Sequence, residues 1–180
     1  MKAKAANRRP LVRINVSQDG IGGMQARCWV FGSSEPISGS DPVLSAGLNG
    51  FFSQWNSHGA SVSGRWKVLE DRFLVVVREP EGAEVSGCSI DSMVGEVKRL
   101  EKEMQTRFLD SSRIFYRGAR GAVEVATRPE FKALAAAGKI TPETEVFDTT
   151  VADLSDLRPG IFVKALKDSW HARLLEPPSA

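Results

Sequence analysis

Residues 62–79 read VSGRWKVLEDRFLVVVRE. Two strand-like runs, Val62–Leu69 and Phe73–Glu79, flank the pair Glu70-Asp71, and this arrangement predicts a β-hairpin with a tight turn. The second run contains four consecutive apolar residues, LVVV at 74–77. Such a run is typical of a strand covered on both faces, so we expect it to lie at the centre of the fold.

Helical patterns flank this hairpin on both sides. Upstream, apolar residues recur at helical spacing over 42–57, where Asp41 can cap the first turn and Pro42 suits the first helical position. Downstream, a second apolar stripe predicts a helix over roughly 90–108. The residues of this stripe are Met93, Val97, Leu100, Met104 and Phe108.

Two further strand-like segments complete the pattern, at Ala26–Gly32 and Arg113–Arg117. The order of elements from 26 to 117 is therefore β-α-β-β-α-β. This order predicts an α+β fold with a ferredoxin-like split βαββαβ core, in which a single antiparallel sheet carries both helices on one face.

The same patterns divide the chain into parts. Residues 1–10 are basic and lack periodicity, which predicts a disordered tail, whereas 11–126 contain the α+β core. Residues 127–180 mix apolar and charged side chains without a clear period. We expect this last part to pack as a C-terminal mixed extension on the same domain.

Composition narrows the classes of protein to consider. The chain has 180 residues, of which 42% are hydrophobic and 26% are charged, as in an ordinary globular domain. A formal net charge of +2 does not favour a nucleic-acid partner. No apolar run approaches the ~20 residues that a membrane span requires, and no signal-peptide pattern is visible. We therefore expect a cytoplasmic protein that does not associate with a membrane.

Sequence motifs for nucleotides and metals are missing. There is no G-x-x-x-x-G-K-[ST] pattern, and Gln25 stands where a dinucleotide-binding motif that begins at Gly20 would need its last glycine. The chain has only two cysteines and two histidines, and they form no C-x-x-C or H-x-x-x-H pair. We expect neither a cofactor nor a metal ion.

One segment has the composition of a chemical site. SGCSIDS, at 86–92, lies directly before the strongest helical pattern, and a thiol there lies at the positive end of the helix dipole, which favours the thiolate. Cys88 is therefore a candidate nucleophile or redox thiol. His58 or His171 would be its base, and Asp91 would orient that histidine.

The same segment also has a purely structural interpretation. Ser89, Asp91 or Ser92 would then cap the helix, and Cys88 would pack as a small apolar side chain. The residues do not decide between an enzyme and a structural helix start.

Two function hypotheses follow. In the first, the protein has a Cys/His pocket at a helix N-terminus. The candidate catalytic residues are Cys88, His58, His171 and Asp91, with Trp55, Ser89 and Trp170 as the other residues of the pocket. In the second, the protein is a non-catalytic binding or regulatory module whose sheet face binds a protein partner or a second copy in a homodimer.

Four segments carry a resemblance to a known family, and they are Phe51–Gly59, Ser86–Ser92, Gly138–Thr144 and Asp168–His171. They are similar to short bacterial proteins of unknown function that often bear the label "ABC transporter ATPase". Because this chain has no Walker A lysine, the resemblance does not imply an ATPase. It implies a cytoplasmic bacterial protein, and its segments include the same places that the residues themselves indicate, around His58, Cys88 and Trp170-His171.

Overall fold

The computed structural model describes residues 26–176, and the predicted tail at 1–10, the predicted core at 11–25 and residues 177–180 lie outside the described residues. In chain order the helices and strands are β1 (Cys28–Gly32), α1 (Pro42–Phe52), β2 (Asn56–Ser57), β3 (Ala60–Ser61), β4 (Gly64–Leu69), β5 (Phe73–Arg78), α2 (Gly87–Glu103), β6 (Arg113–Arg117), β7 (Val123–Thr127), α3 (Arg128–Ala136), β8 (Glu145–Phe147) and β9 (Val163–Ala165). Short 3-10 helices lie at Leu154–Asp156, Leu166–Asp168 and Trp170–Leu174.

The predicted hairpin is β4–β5, and β5 is the middle strand of an antiparallel sheet with the order β1-β5-β4. The turn residues Glu70 and Asp71 both have positive φ, 53° and 52°, as a two-residue hairpin turn requires. Residues 73–77 are all buried. The prediction of a tight hairpin with a strand covered on both faces is therefore confirmed.

Helix α1 begins as predicted but ends earlier. The Asp41 carboxylate accepts hydrogen bonds from the N–H groups of Val43 at 2.9 Å and Leu44 at 3.0 Å, and Pro42 is the first helical residue. The helix ends at residue 52 rather than 57, because the chain turns into the small β2–β3 hairpin. The turn of that hairpin contains His58, with φ 51°, and Gly59, with φ 81°.

Helix α2 is shifted towards the N-terminus relative to the predicted range of 90–108. It starts at Gly87, because the side chain of Ser86 caps it, and it ends at Glu103. Gln105 has a φ of 52°, which is outside the helical range. The carboxylate of Glu101 then accepts the N–H of Phe108 at 2.6 Å, which holds the following loop.

The ferredoxin-like order is not confirmed, although the α+β class is. The prediction required β6 to join the sheet of β1, β4 and β5, whereas β6 lies in a second antiparallel sheet with the order β7-β6-β8-β9. Both faces of β6 are apolar: Phe115 faces the first sheet, and Ile114 and Tyr116 face the other way. The strands that pair with β6 are supplied by residues after 117, and the chain after that residue builds three of the four strands of the second sheet.

Residues 26–176 form four layers, which are α1 with α2, the first sheet, the second sheet, and α3. The two sheets pack face to face around aromatic side chains, and the ring centroid of Phe73 lies 5.2 Å from Phe115, 5.0 Å from Phe147 and 5.2 Å from Phe162. The opposite face of the first sheet packs on α1 and α2 through Leu74. Both faces of the first sheet are thus covered within the described residues.

Candidate functional site

The first turn of α2 is held by a reciprocal pair of serines. The Ser89 N–H donates to Ser86 Oγ at 3.3 Å, and the Ser86 N–H donates to Ser89 Oγ at 2.8 Å, which is a capping box. Ser89 is buried, whereas Cys88, between the two serines, is exposed. The cap therefore presents the thiol to solvent instead of packing it.

Backbone amides at this turn keep hydrogen-bonding capacity. Within the described residues, the N–H groups of Gly87 and Cys88 have no acceptor, as is usual for the first turn of a helix. Asp91 lies three residues after Cys88, on the same side of the helix, and is exposed. The Ser92 hydroxyl donates to the Cys88 carbonyl at 2.9 Å. The thiol, a carboxylate and open amides thus share one turn.

Trp55 joins the β2–β3 hairpin to this turn. Its ring is only 2% exposed, and its Nε1 donates to the Ser89 carbonyl oxygen at 2.8 Å. A buried indole N–H needs such a partner, because leaving it unpaired costs about 1–3 kcal/mol. The hairpin that begins one residue after Trp55 carries His58, which is exposed at its turn. The hydrogen bond therefore ties the segment of His58 to the segment of Cys88.

Close aromatic packing fixes Trp55 in place. Its ring centroid lies 5.6 Å from that of Phe51, 5.5 Å from Phe52 and 6.3 Å from Trp29. A Cβ at Gly64 would come within 2.7 Å of the Trp55 ring, so only glycine fits at that position of β4. Trp55 is thus a core anchor and not the wall of an open pocket.

His171 and Trp170 belong to a separate cluster beside the second sheet. His171 is 3% exposed, its Nδ1 lies 2.7 Å from Ser169 Oγ, and its ring stacks on Trp170 with centroids 3.8 Å apart. Burial lowers the pKa of His171 from 6.5 to about 4, with Asp148 acting in the opposite direction. His171 is therefore a neutral, bonded side chain near neutral pH.

Asp148 is the centre of that cluster, and the sequence did not single it out. Its Oδ1 accepts from Thr150 Oγ1 at 2.6 Å and from Trp170 Nε1 at 3.3 Å, and its Oδ2 accepts from Lys164 Nζ at 3.3 Å. Although burial opposes it, this set of donors keeps the pKa of Asp148 below its usual range. The signal in the sequence was Asp148-Thr149-Thr150, a pattern typical of a turn in which the carboxylate accepts from the residue two positions on.

The structure therefore separates the predicted site residues into two groups. Trp55, Ser89, Cys88 and Asp91 lie at or against the start of α2, and the hairpin of His58 is bonded to it through Trp55. His171 and Trp170 bond instead to residues 148 and 169. Among residues 26–176, no hydrogen bond or ion pair links Cys88 or Asp91 to either histidine.

The second cysteine has a different environment. Cys28 is buried on β1 between the two sheets, with 1% of its surface exposed. Burial, with smaller contributions from Asp153 and Asp156, raises the pKa of its thiol to about 12. Cys28 therefore stays protonated at neutral pH and is packed as a small apolar side chain.

Among the described residues there is no group of three or more side chains arranged to hold a metal ion, and no helix there has the length and apolar character to cross a bilayer. The chain matches no protein-family model, no curated protein and no solved structure. Its resemblance to the bacterial family therefore stays a prediction.

Proposed function

We propose that this is a thiol-dependent protein in which Cys88 is the nucleophile and His58 is its base. The observation that carries the proposal is the hydrogen bond from Trp55 Nε1 to the Ser89 carbonyl at 2.8 Å. It joins two segments, 55–59 and 86–92, that are far apart in the chain and that each contain one of the two reacting groups. This buried bond supports the proposal because it ties the segment that contains His58 to the segment that contains Cys88.

The surroundings of Cys88 favour negative charge. The exposed sulfur lies in the first turn of a 17-residue helix, where the dipole and the open N–H groups of Gly87 and Cys88 attract anions. The same N–H groups can stabilise negative charge that develops on a substrate atom under attack. Both effects act on the thiolate and on the transition state without any movement of the helix.

His58 suits the role of base better than His171. Its ring is exposed and has no hydrogen-bond partner among the described residues, so both ring nitrogens can accept or donate a proton. His171, by contrast, is buried and bonded through Nδ1 to Ser169. Asp91, three residues after Cys88 in the same helix, would orient a histidine that approaches the thiol.

The simplest reaction for these two residues is exchange with a disulfide. His58 accepts the proton of the Cys88 thiol, and the sulfur then attacks one sulfur of the disulfide. A new S–S bond forms to Cys88 as the old one breaks, and the released thiolate takes the proton back from His58. A reduced Cys88 requires a reducing compartment, which fits the predicted cytoplasmic location.

The test is the rate at which Cys88 reacts with an aromatic disulfide, dithiobis(nitrobenzoate), in a Cys28→Ser background. We expect the folded protein to react about tenfold faster than the same chain unfolded in urea, because the positioned base and the open N–H groups of the helix start act only in the folded chain. His58→Ala should remove most of that gain, since a positioned base contributes about 100-fold or more in efficient enzymes.

The matched control is His171→Asn, which alters the other histidine and should leave the rate within about twofold, because that residue bonds elsewhere. Circular dichroism would show that each variant is folded. A rate equal to that of the unfolded chain, or one that His58→Ala does not change, contradicts the proposal.

The rival hypothesis is a binding module with an open sheet face, and in the described part of the chain the first sheet offers no such face. The helix side of the first sheet is packed on α1 and α2, and the other side is packed on the second sheet. A protein partner or a second copy would have to bind somewhere other than the faces of the first sheet.

A further inference from the structure

The loop before α2 is bonded to the hairpin that carries His58. Residues 79–86 form this loop, which leads from the end of β5 into the first turn of α2. Within it, the Ala83 N–H donates to the Ser61 carbonyl at 2.9 Å. Ser61 is the last residue of β3, the second strand of the small hairpin. The hairpin is thus linked to the loop before α2 as well as to α2 itself, through Trp55.

Gly82 lies very close to the backbone that follows the hairpin. A Cβ at Gly82 would lie 2.2 Å from the Ser63 nitrogen and 3.1 Å from the Val62 carbonyl carbon. Both atoms belong to the main chain, so a side chain at this position would push the two segments apart. Gly82 does not have a positive φ, so the position needs glycine for space and not for backbone conformation. Since Ala83 is the next residue, the same movement would lengthen its bond to Ser61.

The loop is also held on its other side. Arg78 Nη2 donates to the Gly82 carbonyl at 3.1 Å and lies 2.8 Å from Oε1 of Glu84. Ala83 and Val85 are partly buried against the side chains on the helix side of the first sheet. The loop is therefore held between β5 and β3, and a displacement at Gly82 would move it relative to both strands.

Gly95, in the third turn of α2, provides a comparison. Among the described residues, a Cβ at Gly95 would meet no atom within 4 Å. Alanine is therefore accommodated there, and it favours the helix. Gly82→Ala and Gly95→Ala add the same methyl group to two glycines on either side of Cys88 in the chain, so they form a matched pair.

We propose that Gly82 is a positioning residue for the reaction of Cys88 with its base His58. Its close approach to the neighbouring backbone allows the Ala83 N–H to reach Ser61, and this bond fixes the hairpin of the base beside the loop that leads to the thiol. The inference rests on the proposed function, because it assigns a role within the same site.

The test is a double-mutant cycle on the reaction of Cys88 with dithiobis(nitrobenzoate), in the Cys28→Ser background. In the otherwise unaltered chain, His58→Ala should slow the reaction about fivefold or more, as the proposed function requires. With Gly82→Ala also present, we expect His58→Ala to slow it less than about twofold, because the base is then no longer held near the thiol. With Gly95→Ala instead, the effect of His58→Ala should keep its full size.

Hydrogen exchange, measured by NMR, gives a second readout that does not depend on the thiol. Because the Ala83 N–H donates to Ser61, its exchange should be slow in the unaltered chain and at least about tenfold faster with Gly82→Ala. A loss of overall stability alone would leave the effect of His58→Ala unchanged in the folded protein. If Gly82→Ala does not fold, Ala83→Pro replaces it in the cycle, since proline removes the same N–H and adds no atom to Gly82.

Three results would overturn this inference alone. They are an undiminished effect of His58→Ala in a folded Gly82→Ala or Ala83→Pro variant, an Ala83 amide that stays protected in Gly82→Ala, and an equal loss of the effect with Gly95→Ala. If His58→Ala has no effect even in the otherwise unaltered chain, the proposed function fails, and this inference fails with it.

Discussion

The start of α2 contains side chains similar to those of the C-terminal cluster, but the two regions are built in opposite ways. The C-terminal cluster is the group of Asp148, Thr150, Lys164, Ser169, Trp170 and His171. At the start of α2, Cys88 and Asp91 are exposed and have no side-chain hydrogen-bond partner among the described residues. In the C-terminal cluster, Asp148 and His171 are buried and bonded. The first region has unused bonding capacity that faces solvent, whereas in the second region the side chains bond to one another.

This contrast distinguishes the region that contains the candidate reactive groups from the region that stabilises the fold. A Ser, His and Asp cluster suggests a catalytic triad, but here Ser169 caps the 3-10 helix of His171, and Asp148 bonds to Lys164 and Trp170 instead of the imidazole. The bonds of the C-terminal cluster hold the last described turns of the chain against β8 and β9. Its role is therefore to dock the C-terminal segment, and the candidate reactive groups are those of the other region.

The largest effect is expected for the carboxylate of the C-terminal cluster. Asp148→Ala leaves Lys164 and Trp170 without their acceptor in a mostly buried place, so the free energy of unfolding should fall by about 3 kcal/mol. Urea unfolding followed by tryptophan fluorescence measures this. The control is Asp168→Ala, an exposed carboxylate, which should change the value by less than about 0.5 kcal/mol. Equal effects of the two variants would mean that the cluster does not hold the segment.

A pH dependence is expected from His171. Its folded-state pKa is lowered to about 4 from 6.5 by burial, so between these values the unfolded chain binds a proton that the folded chain does not. The His171 contribution is thus fully present above pH 6.5 and is lost as the pH falls towards 4, at a cost of roughly 3 kcal/mol. Urea midpoints of the unaltered chain and of His171→Asn should converge as the pH falls through this range. Parallel curves would contradict the expectation.

The smallest effect is expected for the hydrogen bond between Trp55 and Ser89, which links the hairpin of His58 to α2. Trp55→Phe keeps the ring in the aromatic cluster but removes the N–H that bonds to Ser89, which should cost about 1 kcal/mol of stability. Because the hairpin is then no longer tied to α2, His58→Ala should change the reaction rate of Cys88 less in this background. Trp66→Phe loses only an exposed bond to Asn49 and should leave that rate unaffected. An undiminished effect of His58→Ala would show that the bond does not position the histidine.

Local features of the fold could be predicted from the sequence with good accuracy. Asp41 and Pro42 marked the start of α1, and Glu70-Asp71 marked the turn of the central hairpin, because caps and tight turns depend on a few neighbouring residues. Helix ends were less accurate: the aromatic residue Trp55 continued the apolar spacing of α1 although it lies beyond the end of that helix. Trp55 is held in place by packing on Phe51 and Phe52. Periodicity alone does not distinguish such packing from a further helical turn.

The candidate site was predicted in part for the same reason. A cysteine directly before a strong helical pattern indicated that Cys88 lies in a first turn, and the structure places it there, exposed. The sequence treated His58 and His171 as equal candidates. Their difference lies in burial and in nearby charges from distant segments, Asp148 and Lys164, and no local pattern reports these.

The sequence by itself determined the α+β class, the central buried hairpin and the position of the thiol at a helix start, since each depends on contacts between near neighbours in the chain. Only the tertiary structure decided that β6 belongs to a second sheet, that Trp55 ties the hairpin of His58 to α2, and that His171 is a buried docking residue. The physical reason is that strand pairing and burial are set by residues far apart in the chain, whose meeting depends on the packing of all four layers at once.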